Sequence, residues 1–312
     1  MDETDLRLIG LLNTNSRTPF RELAEKLGIS VQAVHKRVKA LDETGVIVRY
    51  TAGLSLKYLK AVPVGIGGIT RAASVNEVAE GLRKDDSTYL VHVSGNLLSI
   101  MVMLRSIGDL DRYVEYLKRE AQMEELSISL PSAMGFTKLE RQNVPEEPLE
   151  LTPVDFRIIR SLHEDSRKEV VDIAEEVGLS AKTVKRRLDK MVDAGAIEFG
   201  TQFDLGAQNG IVSIITIDLK PGTDKGRFMG EMKQKFGPRV IYMGLYSNIP
   251  DGVFIFMWSG SQKESREMEE SFQKDPQIAA FKNLLIQNKY QFPTWRDKLL
   301  EEKAAGSSGI PG

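Results

Sequence analysis

The sequence predicts an α+β chain in which a winged helix-turn-helix is followed by a ferredoxin-like βαββαβ unit, and the pair is then repeated. Three observations predict it. Each half opens with three short amphipathic helices and a strand; the hydrophobic pattern then changes from a helical period to alternation; and a shift of 150 residues aligns the two openings without a gap. Under that shift Asp5, Arg7, Ile9, Leu12, Ser16, Arg17, Ala24, Glu25, Gly28, Ser30, Val34, Arg37, Gly45 and Ile47 meet the identical residues Asp155, Arg157, Ile159, Leu162, Ser166, Arg167, Ala174, Glu175, Gly178, Ser180, Val184, Arg187, Gly195 and Ile197. Chance does not produce such a run, so the chain is a tandem duplication.

Residues 5–12 read as the first helix, with Asp2 or Thr4 as its cap and Leu8, Ile9 and Leu12 inward. Thr18-Pro19 is expected to open the second. Threonine would cap it and proline would take the first helical position, where a missing amide is no loss; Gly28 ends it. Ser30 caps the third helix, residues 30–41, whose apolar stripe is Val34, Val38 and Leu41. Its outward face carries Gln32, His35, Lys36 and Lys39, side chains able to reach phosphates or base edges. Gly45 permits the reversal into a strand at 46–48. In the second copy the third helix, 180–191, turns Lys182, Lys185, Arg186 and Asp189 outward. The face stays basic while its residues change, which suits two different half-sites.

Alternation follows each opening. Residues 62–69 read as a strand, 75–84 as a helix, 88–93 and 97–104 as a hairpin turning at Ser94-Gly95-Asn96, 110–120 as a helix and 126–130 as a last strand. This βαββαβ order describes one antiparallel sheet with both helices on one face. The other face carries apolar side chains and needs a cover. The second half repeats the order with strands 211–219, 240–245, 253–258 and 284–292 and helices 225–236 and 262–273, but its hairpin turn, 246–252, has lost Ser-Gly-Asn. The expected domains are therefore 1–53, 60–136, 152–203 and 210–300, with a charged, proline-bearing linker at 137–151 and an unstructured tail at 301–312.

Composition narrows the function. The 312 residues are 41% hydrophobic and 28% charged, ordinary for a globular protein, and the net charge is −2. An unspecific nucleic-acid coat is strongly basic, so any DNA contact is local to the third helices. No cysteine is present, which removes disulfides and thiolate chemistry. The acidic start Met1-Asp2-Glu3 is unlike a secretory signal, and no apolar run approaches the roughly 18 residues of a membrane span; a cytoplasmic location is expected. His35, His92 and His163 lie far apart, and no catalytic or phosphate-loop motif occurs, so no catalytic residue, metal or cofactor is expected.

The runs Asp5-Leu-Arg-Leu-Ile9, Leu23-Ala-Glu-Lys-Leu-Gly-Ile-Ser30, Val34 to Val38 and Gly45-Val-Ile-Val-Arg-Tyr-Thr-Ala52 with Leu54 resemble the Lrp/AsnC family of transcription regulators, here duplicated within one chain. The resemblance covers nearly all of both halves. It implies winged helix-turn-helix heads on double-stranded DNA, RAM-type ferredoxin-like effector domains packed sheet to sheet in dimers, and a small-molecule effector such as an amino acid. The paired sheets would lie within one chain or in a homodimer. Ser94, Gly95 and Asn96 resemble the family's effector turn, and the second half lacks it.

On this reading the wing strands are 46–50 and 197–200, and the DNA-contact candidates are Ser30, Gln32, His35, Lys36, Lys39, Arg49 on the first wing strand, Lys182, Lys185 and Arg186, set against the plain alternative of a solvated face. Gln32 is the candidate for base specificity and Lys36 for phosphate affinity. Arg37 and Arg187 fit a structural ion pair as well as a phosphate contact. Siroheme decarboxylases resemble the same family and carry an Arg-Arg-Phe-Gly-Ala stretch; here Val48-Arg49-Tyr50-Thr51-Ala52 and Glu198-Phe199-Gly200-Thr201 stand in that place, and neither matches. A metabolite sensor acting only through protein partners is the third reading.

Overall fold

The computed structural model describes residues 1–131 and 149–306; most of the expected linker and the last six positions of the tail lie outside them. Each half opens with a three-helix head. Head 1 is α1 (Glu3–Thr14), α2 (Phe20–Leu27) and α3 (Val31–Glu43), followed by β1 (Ile47–Leu54). Asp2 caps α1 in a reciprocal box with Asp5, and Ser30 caps α3 by accepting from the amide of Ala33. The α2 start differs from expectation. Pro19 is itself the cap residue, and the Thr18 hydroxyl donates back to the Asn15 carbonyl at 2.8 Å. Gly28 ends α2 at φ 68°, a conformation that favours a residue without Cβ.

The first sheet unit runs β2 (Val62–Thr70), α4 (Val75–Gly81), β3 (Thr88–Ser94), β4 (Leu97–Leu104), α5 (Leu110–Glu120) and β5 (Met123–Ser129). Head 2 is α6 (Pro153–Ser161), α7 (Val170–Val177) and α8 (Ala181–Asp193), followed by β6 (Ile197–Phe203). The second unit runs β7 (Ile211–Leu219), α9 (Lys225–Phe236), β8 (Val240–Leu245), β9 (Gly252–Ser259), α10 (Gln262–Gln273) and β10 (Ile278–Leu285). Both sheets have the interleaved antiparallel order of a ferredoxin-like unit, β3-β4-β2-β5 and β8-β9-β7-β10. In each, the strands' alternate apolar side chains pack on the unit's two helices, Ala79 and Tyr113 in the first and Phe228 and Phe272 in the second.

Two findings depart from the sequence reading. The strands offered as wings are one shared ribbon: β1 pairs antiparallel with β6, Tyr50 opposite Thr201 and Thr51 opposite Gly200. A lone strand would leave its ladder groups open, and each half supplies the other's partner. The final strand expected at 284–292 is in truth two. After β10 the chain crosses, β11 (Asn288–Gln291) pairs with β3 of the first sheet, and α11 (Trp295–Ala304) packs against α6. The second unit thus closes at Leu285, and residue 301, expected to begin the tail, lies inside a helix.

These crossings bind the halves together. The apolar core of head 1 continues into Leu205, Val212 and Trp258 of the second half, and that of head 2 takes in Ala52 and Leu54 from β1 and Leu300 from α11. Gly210 is required at its place, since a Cβ there would lie 2.0 Å from the Trp258 ring nitrogen, which donates to the Leu205 carbonyl. The sheets face one another across His92 and Phe256, whose ring centroids are 6.1 Å apart. This contact covers part of the sheet face that the sequence left open.

Candidate nucleic-acid interface

The third helices are positioned by a pseudo-twofold between the heads. Ser16 and Ser166, fully buried, hydrogen-bond to each other through their hydroxyls across it. Arg17 donates to the carbonyls of Ser166 and Lys168, the latter at 2.9 Å, and Arg167 returns the contact to the carbonyls of Ser16 and Thr18. The pairing is reciprocal at the centre of the ribbon too, Tyr50 opposite Thr201 and Thr51 opposite Gly200, while its ends are one residue out of step, Asp204 donating to the Val46 carbonyl and Ser55 to the Ala196 carbonyl. Burial lowers the pKa of both guanidinium groups, yet they stay charged, because that pKa starts far above neutrality. Arg167 also lies over the rings of Phe20, at 4.4 Å, and Tyr50, at 5.6 Å.

On this frame Val34, Val38 and Leu41 of α3, and Val184, Leu188 and Met191 of α8, are buried. The opposite faces are open. Gln32, His35, Lys36 and Lys39 on α3, and Lys182, Lys185 and Arg186 on α8, are all exposed. Lys36, Lys182 and Arg186 have no acid partner among the described residues. Lys39 pairs with Glu43 at 3.6 Å and Lys185 with Asp189 at 2.7 Å, both solvent-facing pairs within one helix, of the kind worth well under about 1 kcal/mol. Phosphate can compete with such acids. His35 sets its ring edge-on to Phe20, with centroids 4.2 Å apart.

Other sequence candidates are placed differently. The Ser30 hydroxyl serves as the helix cap. Arg49 is drawn to Glu164 of head 2 by an ion pair and is not on an outward wing. Arg37 and Arg187 are structural: Arg37 bonds Asp2 at 2.8 Å and Asp5 at 2.7 Å, and Arg187 bonds Asp155 at 3.0 Å. The hydrogen bond to Asp5, then that to Asp2, raises the pKa of Arg37 further. Ser94-Gly95-Asn96 forms an exposed turn with Gly95 at φ 58°, but the Gly95 amide is taken by the Gln287 side chain at 2.7 Å. In the second half Ile249 and Tyr246 crowd Gly252 and fill the corresponding turn.

Comparison with known proteins agrees with this geometry. Residues 1–42 match the AsnC-type helix-turn-helix domain, and residues 151–198 match a winged helix-turn-helix DNA-binding domain. The HTH-type transcriptional regulator LrpA of Pyrococcus horikoshii is 41% identical over 105 residues, 33% of this chain and 74% of that protein. The chain belongs to the Lrp/AsnC family. A second relative, the HTH-type transcriptional regulator Ptr1 of Methanocaldococcus jannaschii, is 32% identical over 117 residues, 36% of this chain and 79% of that one. Among solved structures, the siroheme decarboxylase NirDL matches 99% of this chain and 100% of its own at a TM-score of 0.60 and 13% identity, which shows a shared whole-chain fold.

For an Lrp/AsnC chain the sequence reading missed two groups. Val31, 40% exposed at the first position of α3, is a further apolar group in the open, and exposed Lys190 adds a charge on α8. Ser16-Arg17 and Ser166-Arg167 position both heads. Their signal was already in the sequence: polar residues of a turn, away from the core stripe, kept identical in both copies.

Proposed function

We propose that this protein is a sequence-specific DNA-binding transcription regulator whose two heads, fused in one chain, act as the dimeric reading unit of its relatives. The observation that carries it is the exposure of Gln32, Lys36, Lys182 and Arg186 on the third helices, without acid partners among the described residues, beside a reciprocal frame made of Ser16, Arg17, Ser166 and Arg167. Helices of this kind enter successive major grooves of one face of the duplex. A small-molecule effector, such as an amino acid at Ser94-Gly95-Asn96, would act by binding one arrangement of the sheets better than another, with Gln287 as the side chain it must displace. No enzymatic step is assigned. The likeness to NirDL is one of fold, and the stretches compared with its relatives, at residues 48–52 and 198–201, are committed to the β1–β6 ribbon.

The test is duplex binding by the full chain over a salt series, with and without a panel of amino acids, beside Lys36→Ala/Lys185→Ala. Each lost phosphate contact lowers the slope of log affinity against log salt by about 0.9, so the double variant is expected to lose nearly 2 in slope and to bind all sequences more weakly. An unchanged slope would remove these residues from the interface. Amino acids that leave affinity unchanged would remove the effector. A Soret band on adding siroheme, with no DNA bound, would replace the regulator by a tetrapyrrole protein.

A further inference from the structure

We infer that the preferred duplex lacks twofold symmetry, with an A·T step beneath the start of α3 and G·C pairs beneath α8. The inference rests on the DNA-binding reading and deepens it. The frame is symmetric about its dyad: Ser16 meets Ser166, Arg17 and Arg167 exchange carbonyls, and at the centre of the ribbon Tyr50 faces Thr201 as Thr51 faces Gly200. The surfaces presented on that frame are not. Bases are read by the first turns of a recognition helix, and there Val31 and Gln32 of α3 stand where α8 has Ala181 and Lys182.

The chemistry of the two starts differs in kind. A glutamine carboxamide both donates and accepts, which matches the N6 donor and N7 acceptor of adenine, and an exposed valine offers methyl groups to the methyl of thymine. Both preferences describe A·T pairs. Lys182 and Arg186 only donate, and the base edge that offers two adjacent acceptors and no donor is guanine, through O6 and N7. In head 1 the place of Arg186 is held by Lys36, a point charge suited to phosphate rather than a fork suited to guanine. Lys185, which stands where α3 has His35, adds a further donor-only side chain to α8 and does not even out the contrast. A homodimer would present two copies of one surface. This chain always presents one of each, in a fixed order.

The experiment is selection of bound duplexes from a random library by the full chain, followed by anisotropy titration of the composite site and of the two palindromes made from its halves. The composite is expected to bind roughly ten-fold tighter than either palindrome, since one well-placed base contact discriminates by about that factor or more. A palindrome bound as tightly as the composite overturns this inference and leaves the regulator standing. Absence of any sequence-selective binding overturns both. Val31→Ala/Gln32→Lys/Lys36→Arg, all at exposed positions, gives α3 the three residues of α8, and its preference is expected to move to the G·C palindrome by a similar factor. Retention of the composite preference by that variant also sinks the inference.

Discussion

The two halves of this chain solve the same packing problem with different parts. At one end of the second sheet, Trp258 of β9, opposite Val212, joins the core of head 1 and donates its ring N–H to Leu205. The matching position in the first sheet, Met103 of β4 opposite Pro63, has no ring. The tryptophan comes from elsewhere: Trp295 at the start of α11 is 5% exposed, donates to the Met103 carbonyl at 2.6 Å and lies 4.8 Å from the Arg105 guanidinium. Its neighbour Arg296 reaches the Leu54 carbonyl at the end of β1. Duplication therefore preserved the contact between head and sheet while letting its source move from within a half to the crossing C-terminal segment.

Removing that borrowed ring is the most severe way to break the comparison. Trp295→Ala is expected to cost about 3–5 kcal/mol, the range for truncating a buried aromatic, with hydrogen exchange rising through β11 and α11. Trp258→Ala should cost a similar amount but loosen head 1 and the start of β7. Chemical denaturation with residue-resolved exchange separates the two. If Trp295→Ala raised exchange over the whole chain uniformly, the C-terminal segment would not be a separable clamp.

The same contrast sets what could be read in the sequence. The head cores were legible because Val34, Val38 and Leu41 and their counterparts repeat at helical spacing, and burial follows that stripe. Both ferredoxin-like units were legible from alternation. The exit from the second sheet was not, because Ile286 and Gln287 continue the pattern between β10 and β11 with no glycine or proline to break it, and only pairing to β3 shows that the chain has changed sheets. The wings were misplaced for a related reason: a strand's sequence shows that it needs a partner, not which half supplies it. Ser16 and Arg17 stood out as identities between the copies, but their role depends on a dyad that exists only when both copies are folded.

That dyad is the next place to test symmetry. Arg17→Ala strips the donor from the Ser166 and Lys168 carbonyls, and Arg167→Ala from those of Ser16 and Thr18. Each is expected to cost about 2–3 kcal/mol, the scale for leaving part-buried acceptors unsatisfied. Arg167→Ala should cost roughly 0.5–1 kcal/mol more, because Arg167 also faces Phe20 and Tyr50, whereas among the described residues Arg17 faces one ring, Phe199, at 5.8 Å. Denaturant midpoints with a common m-value would measure this. Equal losses would mean that the ring contacts add nothing, and no loss in either would remove the arginines from the frame.

The last contrast is a difference in acid response. His92 of β3 is 7% exposed and faces Phe256 across the sheets, and burial, helped by the charge of Lys289, pushes its pKa down to about 3. The strand in the same place in the second sheet, β8, contains no histidine. The unfolded chain takes up a proton on this ring near pH 6.5, while the folded chain refuses it until about pH 3. The unfolded state thus binds more protons in that window, and stability falls with decreasing pH by about 1.4 kcal/mol per pH unit from this group alone. His92→Leu fills a similar apolar space and cannot titrate. Between pH 6.5 and 4.5 the unfolding free energy of the natural chain should drop more steeply than that of the variant, with carboxylates contributing alike to both. Parallel curves would mean that His92 is protonated as readily in the folded sheet pair as in the unfolded chain, and that the contact between the sheets is open to water on the first half's side.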